Sequence, residues 1–367
     1  MRSPSVSVLM PAYNADRFVQ RSIDSILAQT WQDLELLVVD DGSSDGTPGI
    51  LHRVADRRLR ILTNEANIGL VASLNRAMRH ARGRFIARLD ADDIAVPTRI
   101  ARQVDFLECH PDVVLAGSRW WDLQDGRLRP STRQFDPDPT VLRWLMHVCN
   151  PIASPTMLFR ASLVDRLGEY MRPEFFLAED FDFSHRALRL GSAAVMAERL
   201  VLYRRHGESL TGSAGVERLA EPAAAVLREL FGPLLGSLAG EAADLVATHF
   251  MGGAPVAGRA DLDHLDGILE TLFDAYLRLH APTPAQRARM QAATRSLRRM
   301  ALHHAIRSGL TLREVFRHPR MPVRDVIAPV LHRVAASAVE ALFPESRLLW
   351  ATRRAIVRPI ARDVPPP

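Results

Sequence analysis

The 367-residue chain contains no lysine; all 47 of its Lys-plus-Arg positions are arginine. A phosphate loop of the form GxxxxGK[ST] is therefore excluded. No GxGxxG follows the first apolar run, which argues against a dinucleotide-dependent dehydrogenase as well. Cysteine is scarce. Cys109 and Cys149 stand in apolar or helical surroundings and form no metal-type pair, so a reducing, cytoplasmic setting is expected. Long apolar runs are also missing: no uninterrupted stretch reaches the roughly 18 residues of a spanning helix. The apolar stretch in "MRSPSVSVLMPAYN" is too short for a secretory leader and ends in Pro11, so none is expected.

What is present is an ordinary globular composition, 47% hydrophobic and 24% charged, long enough for about two domains. The net charge of +5 is unevenly spread. Residues 281–367 hold 16 Arg against 5 acids, net +11, and the preceding 280 residues carry −6. Strands and helices alternate in the first part. "SVSVLMPAY", "LELLVVDD", "LRILTN" and "GRFIARLD" read as strands, separated by the helical stretches "RFVQRSIDSILAQ", "TPGILHRVA" and "IGLVASLNRAMRHA". That pattern implies βαβ units and a mostly parallel sheet, whose ligands bind beyond the carboxyl ends of the strands. Tyr13, Asp40, Asp41 and Asp90 then share one rim. From Pro97 to Leu210 the texture is mixed, with helices at "PTRIARQVDFLE" and "FLAEDFDFSHRALRLG" and strands at "DVVLAG" and "AAVMAERLVLYRRH". Beyond 210 the strand signals stop. Apolar residues recur with helical spacing at Leu265, Ile268, Leu269, Leu272, Phe273 and Tyr276, and again from Val323 to Val334. Residues 1–210 are thus expected to form one domain and 211–367 a helical region.

Three acidic stretches stand out. "VVDDGSSDGT" at 38–47 is rich in turn formers, and Ser43 or Ser44 could cap the following helix. Asp41, Ser43, Asp45 and Gly46 match the first positions of an EF-hand loop, but His52 stands where the bidentate Glu is required. Two acids ending an apolar strand on the ligand rim suit the holding of a polar ligand. "DADD" places Asp90, Asp92 and Asp93 within four positions. Such acids repel unless compensated. Helix capping by Asp93 is one reading; a hard divalent cation, Mg²⁺ or Mn²⁺, that would in turn neutralise a diphosphate is the other. "AED" at 178–180 suits a helix N-terminus, where the macrodipole favours acids, and His206 in "YRRHGES" is a lone histidine.

Together these pieces resemble the family 2 glycosyltransferases, inverting enzymes of the GT-A fold. The matching segments run in order: "VSVLMPAYN" at 6–14, "SILAQTWQDLELLVVDDGSSDGT" at 25–47, "NIGLVASLNRAMRHARGRFIARLDADD" at 67–93, "ASPTMLFR" at 153–160, "AEDFDF" at 178–183 and "YRRHGES" at 203–209. The resemblance covers about 200 residues and not the helical region after 210. It implies a GT-A catalytic domain over 1–210. Pro11, Ala12, Tyr13, Asn14, Asp41, Asn67, Asp90 and Ala91 would bind the nucleotide sugar, with Asp41 on the base and Asp90 facing the ribose or donor sugar. Asp92 and His206 would hold a divalent metal, Mn or Mg. Asp180 would be the general base, with Glu179 beside it. Ser154 departs from the pattern, standing in "ASPT" where many relatives carry a histidine.

The implied partners are a nucleotide-diphosphate sugar, UDP first and dTDP or GDP as alternatives, and a glycan or lipid-linked acceptor. The tail "SRLLWATRRAIVRPIAR" mixes Leu348, Trp350 and Ile356 with Arg353, Arg354 and Arg358. It suits an interfacial helix on anionic lipid at the inner face of the membrane; packing on the catalytic domain or an oligomer contact is the plainer reading. Nucleic acid is not expected, since the tail lacks organised stacking aromatics and the front domain is acidic. Two other functions share parts of the pattern. A sugar-phosphate nucleotidyltransferase would need a glycine-rich basic loop near the N-terminus, which is missing. A non-catalytic nucleotide-sugar-binding module has no need of Asp41, Asp90, Asp92 and Asp180 together.

Overall fold

The computed structural model describes residues 3–131, 138–207, 209–210 and 214–307. The helical signal at 323–334 and the Arg-rich tail lie outside the described residues.

Strands β1 (Val6–Ala12), β2 (Leu34–Asp40) and β3 (Leu59–Thr63) are parallel, joined by helices α1 (Val19–Leu27) and α2 (Thr47–Arg53). Helix α3 (Leu70–His80) returns the chain to β4 (Phe85–Arg88), parallel to β1 on its other side. Every residue of β2 is buried. It lies between two strands with its faces covered, which is why "LELLVVD" is a continuous apolar run rather than an alternation. α1 turns Val19, Ile23 and Ile26 into the same core.

The remainder of the sheet is mixed. A two-residue β5 (Ile94–Ala95) and helix α4 (Arg99–Cys109) lead to the hairpin of β6 (Val113–Gln124) and β7 (Arg127–Pro130). Then come α5 (Pro139–Leu145), β8 (Leu158–Arg160), α6 (Ser162–Leu167), α7 (Glu179–Leu188) and β9 (Ser192–Arg204). The spatial order is β3-β2-β1-β4-β8-β6-β9-β5, with β7 paired to the end of β6 at Trp121–Gln124, making nine strands among the described residues. β8 is antiparallel to β4 and β6, and β5 is antiparallel to β9. The sequence pattern did not anticipate β5, β7 or β8. They have two, four and three residues, too few to show a period.

The order reverses between β2–β1 and β4, and a crevice forms where strands diverge in this way. Ala12 of β1 is in register with Asp40 of β2, and the Asp41 amide donates to the Ala12 carbonyl at 2.8 Å. Both strands therefore finish at one level.

Helices α8 (Val216–Leu235), α9 (Ala239–Val246), α10 (Arg259–His280) and α11 (Pro284–Arg307) follow. The described residues divide into two compact units, one running to Ala254 with Thr271–Ala293, the other Pro255–Glu270 with 294–307. Within the first, Phe273 and Tyr276 of α10 meet the buried Trp144 edge-on, with ring centroids 4.9 and 5.3 Å away. Within the second, Arg298 pairs with the buried Asp266, and Leu262, Leu265, Leu297 and Leu302 are buried. One helical run among the described residues, Val216–Met251, is long and apolar enough to cross a membrane by length and composition, with mean hydropathy 1.3. Its Glu217, Arg218, Glu221, Arg228 and Glu229 are exposed, whereas Ala223, Ala224, Leu227 and Phe231 are buried. Those are the two faces of an amphipathic helix in its first part; of the most apolar 18-residue window, 28% is buried.

The rim loops touch at Gly42. Its φ is +70°, and a Cβ there would lie 2.5 Å from the backbone carbon of Ala66. Gly42→Ala is expected to cost roughly 2–3 kcal/mol, the sum of a left-handed alanine and a backbone clash. Urea unfolding measures it; an unchanged midpoint would show that the loops do not meet this closely.

Candidate active site

The first part of the site is built where β1 and β2 end. Asp41 is buried, and its carboxylate ties down the loop before α3: Oδ1 accepts from Asn64 Nδ2 at 2.7 Å and the Ile68 amide at 2.9 Å, and Oδ2 accepts from the Gly69 amide at 2.9 Å. Asn67 Oδ1 also accepts from Gly69, at 3.0 Å. On the facing loop, Asn14 has a positive φ of 47°. Its amide donates to Ser43 Oγ at 3.0 Å and its Oδ1 accepts the Ser44 amide at 2.9 Å. The turn-forming residues of "DDGSSDGT" are thus used to lash that loop to "PAYN". Tyr13 and Ile68 are left half exposed, at 50% and 52%.

The second part is the acid turn after β4. Asp90, Asp92 and Asp93 each present an oxygen within 4.8 Å of the others. Asp92 Oδ2 lies 2.8 Å from His206 Nε2. Asp93 is buried; its Oδ1 accepts the Arg204 amide at 2.8 Å, and Arg204 Nε donates to the Asp92 carbonyl at 2.7 Å. The end of β9 therefore fixes the turn. Burial first, then repulsion from Asp90, raises the pKa of Asp92, with His206 acting in the opposite sense. Burial, then the charges of Asp92 and Asp90, pushes Asp93 well up. Asp93 Oδ2 has no hydrogen-bond partner among the described residues. Convergent oxygens, one imidazole and a buried orphan oxygen fit a hard divalent cation such as Mg²⁺ or Mn²⁺. A cation would relieve the repulsion that raises these carboxyls.

The third part is the first turn of α7, which holds Glu179, Asp180 and Asp182. Asp182 is buried and anchors the helix from behind. Arg172 and Arg186 both pair with it, the latter at 2.8 Å, and Arg186 also donates to the carbonyls of Glu169 and Tyr170 at 2.8 and 2.5 Å. Leu177, just ahead of the helix, has φ 75°. Its amide donates to Glu179 Oε2 at 2.9 Å, which holds this unfavourable conformation. A helix N-terminus lowers a carboxyl pKa, yet here burial wins. Asp180 is pushed up to about 7 by burial and the neighbouring Glu179, against the opposing charge of Arg88. A carboxyl poised near neutrality suits proton abstraction.

Arg88 joins the second and third parts. Its Nη2 donates to Asp90 Oδ1 at 3.1 Å, its Nη1 lies 3.8 Å from Glu179 Oε1, and the same Nη1 donates to Ser154 Oγ. The sequence-derived site residues therefore gather into two neighbouring groups. Pro11, Ala12, Tyr13, Asn14, Asp41 and Asn67 form one at β1 and β2. Asp90, Ala91, Asp92, Glu179, Asp180 and His206 form the other. Asp41 was expected on a base; it makes three bonds to its own chain. Arg88, Ser154's bond to it, Arg204 and Leu177 went unnoticed in the sequence. A signal for Arg88 was there: an arginine inside an apolar strand must find buried partners.

The family model described as "Glycosyl transferase family 2" matches residues 7–168. An uncharacterized glycosyltransferase of Haemophilus influenzae is 35% identical over 214 residues, 56% of this chain and 66% of that protein. The Escherichia coli UDP-Glc:alpha-D-GlcNAc-diphosphoundecaprenol beta-1,3-glucosyltransferase WfgD is 43% identical over 102 residues, 28% of this chain and 40% of its own. The chain thus spans less than two thirds of these curated relatives. Among solved structures, S. aureus TarS in complex with UDP-GlcNAc matches with TM-score 0.56 at 19% identity, covering 84% of this chain and 93% of that one. The fold is GT-A, followed by a helical C-terminal region.

The buried acid turn has a stability cost. A folded-state pKa raised above the unfolded value means the native state binds more protons, so stability falls as pH rises above the ordinary carboxylate range. Asp93→Asn keeps an oxygen for the Arg204 amide and removes the buried charge. It is expected to raise the metal-free denaturation midpoint at neutral pH, with the gain vanishing as pH falls toward 4. A loss of stability at pH 7 would show that Asp93 is already compensated within the chain.

Proposed function

The chain belongs to the family 2 glycosyltransferases, and on that footing we propose that it moves a sugar, with inversion, from a nucleoside-diphosphate sugar to a hydroxyl of a glycan or lipid-linked acceptor. The observation that carries this reading is Arg88, whose single side chain touches both Asp90 and Glu179. A carboxylate cluster suited to a cation and a carboxyl poised near pH 7 are thereby neighbours, as a direct displacement needs.

Tyr13 and Ile68 offer apolar surface to a base, and the loop held by Asp41 offers it polar edges. UDP is the first candidate, followed by dTDP and GDP. Asp90 faces the ribose or donor sugar, and Asp92 with His206 holds Mn²⁺ or Mg²⁺. Bound there, the cation would offset the charge that develops on the departing diphosphate. Asp180 takes the proton of the acceptor hydroxyl as that oxygen attacks the anomeric carbon from the face opposite the leaving group. Glu179 beside it raises its proton affinity. Much of the rate comes from holding donor and acceptor in line.

We read residues 1–210 as the catalytic domain and 211–367 as a helical region whose Arg-rich end meets anionic lipid or another copy. The diphosphoundecaprenol substrate in the name of the Escherichia coli relative supports a lipid-linked acceptor, cell-surface polysaccharide synthesis and work at the cytoplasmic face of a membrane.

Calorimetry with UDP, dTDP and GDP is expected to show binding of one nucleotide that depends on Mn²⁺ and is lost in Asp92→Asn. No binding by folded protein would sink the donor site. Asp180→Asn is expected to lower kcat by about 10²–10⁴-fold while nucleotide binding persists. In the wild type, turnover should fall as pH drops through about 7, because the base must be ionised. A flat profile between pH 5 and 8 would remove Asp180 from that role.

A further inference from the structure

Arg88 has more partners than a strand arginine needs for its own burial. It is 2% exposed at the end of β4, between strands β1 and β8. Three chain segments far apart in sequence meet on its guanidinium: the acid turn through Asp90, the loop before β8 through Ser154, and the first turn of α7 through Glu179. Its Nε has no hydrogen-bond partner among the described residues, so the polar contacts all come from one end of the group. The peptide of Arg88 is held as well. Its amide donates to the Met157 carbonyl at 3.0 Å, and its carbonyl accepts from Arg99 Nη2 at 2.7 Å. The side chain is thus fixed at its root and divided at its tip.

We propose that Arg88 is a positioning residue: its guanidinium, which also donates to Ser154, clamps the Glu179–Asp180 turn to the Asp90 turn and sets the distance between the two motifs. The clamp deepens the function proposed above and rests on Asp180 being that base. Four groups with charge or a titratable proton act on Asp180. Glu179 and Asp90 raise its proton affinity, Arg88 lowers it, and the buried Tyr170 phenol lies within electrostatic reach. Arg88 is the cation in this set. Without it, nothing in that set offsets the two carboxylates, and the base holds its proton into a higher pH range. Ser154 takes part as a neutral acceptor. Where many relatives of the resembling family have a histidine, this chain has a hydroxyl that bonds to the clamp.

Arg88→Lys, Arg88→Met and Ser154→Ala would be compared with the wild type in two measurements. Donor and acceptor kinetics across pH 5–9 form the first. The second is ¹³C NMR of carboxyl-labelled aspartate, with the Asp180 signal assigned from its loss in Asp180→Asn; this readout needs no turnover. Arg88→Met is expected to lower kcat at least 30-fold with a donor KM within threefold of wild type. The acid limb of its rate profile and the Asp180 carboxyl midpoint should both move up by about one pH unit or more. Arg88→Lys keeps the charge and loses the fork, so the midpoint should stay near the wild-type value while kcat remains low. Ser154→Ala is expected to give a milder fall in kcat. If Arg88→Met were too unstable to purify, Arg88→Lys and Ser154→Ala still decide: wild-type kcat in both would overturn the clamp. An unmoved Asp180 midpoint in folded Arg88→Met would overturn it too. Absence of transfer by the wild type, with the carboxyl midpoint shifting in Arg88→Met, would instead count against the proposed function and leave the clamp standing.

Discussion

Charge balance in a dry place governs the crevice. Five carboxylates, those of Asp90, Asp92, Asp93, Glu179 and Asp180, are brought together where two are buried almost completely. Taking such groups out of water is costly unless each finds a partner. Arg88, Arg204 and the buried Arg99 supply positive charge within the chain, but three arginines against five acids leave a deficit. Local geometry follows from that deficit. β9 must end at Arg204 so that its amide reaches Asp93, and His206 must follow so that an imidazole reaches Asp92. The turn concentrates more acid than the chain's own arginines offset.

The scaffolding around it is stiffer than the loops alone suggest. Asp182 and its two arginines brace α7 from the side away from the crevice, and Arg186 extends the brace to the carbonyls of residues 169 and 170. Asn75 on α3 adds another tie, bonding the Met171 amide with Oδ1 and the Met171 carbonyl with Nδ2 at 3.0 and 2.7 Å. The first turn of α7, with Asp180, is therefore braced by polar groups other than the acids that face Arg88. Such support matters because a displacement of about 1 Å at a reacting centre can cost two orders of magnitude in rate.

Much of this was legible in the sequence, for identifiable reasons. The parallel half of the sheet announced itself because buried strands such as β2 are unbroken apolar runs and the intervening helices keep a clear period. The acid turn was visible because three aspartates within four positions at a strand end repel one another unless something compensates them. The helix carrying Asp180 was recognisable from its apolar spacing. The antiparallel half was harder. β5, β7 and β8 are too short to carry a pattern, and they exist because longer strands offer them edges. Asp41 is a different case. Its place on the rim was correct, but the sequence gives no hint that Asn64, Ile68 and Gly69 would occupy its carboxylate. Arg88 was read past because it sits in a strand motif whose acids drew the attention.

The partners of the acid turn also set an order of events in folding. Asp93 and Arg204 are 111 positions apart, Asp92 and His206 are 114 apart, and Arg88 and Ser154 are 66 apart. Contacts across such separations form late, because the entropy of closing the loop must be met before any bond returns it. A nascent chain that has just completed β4 therefore carries three neighbouring carboxylates with none of their distant donors. During synthesis the turn is left to water until residue 206 has been made and β9 can dock. Only then does the crevice have walls.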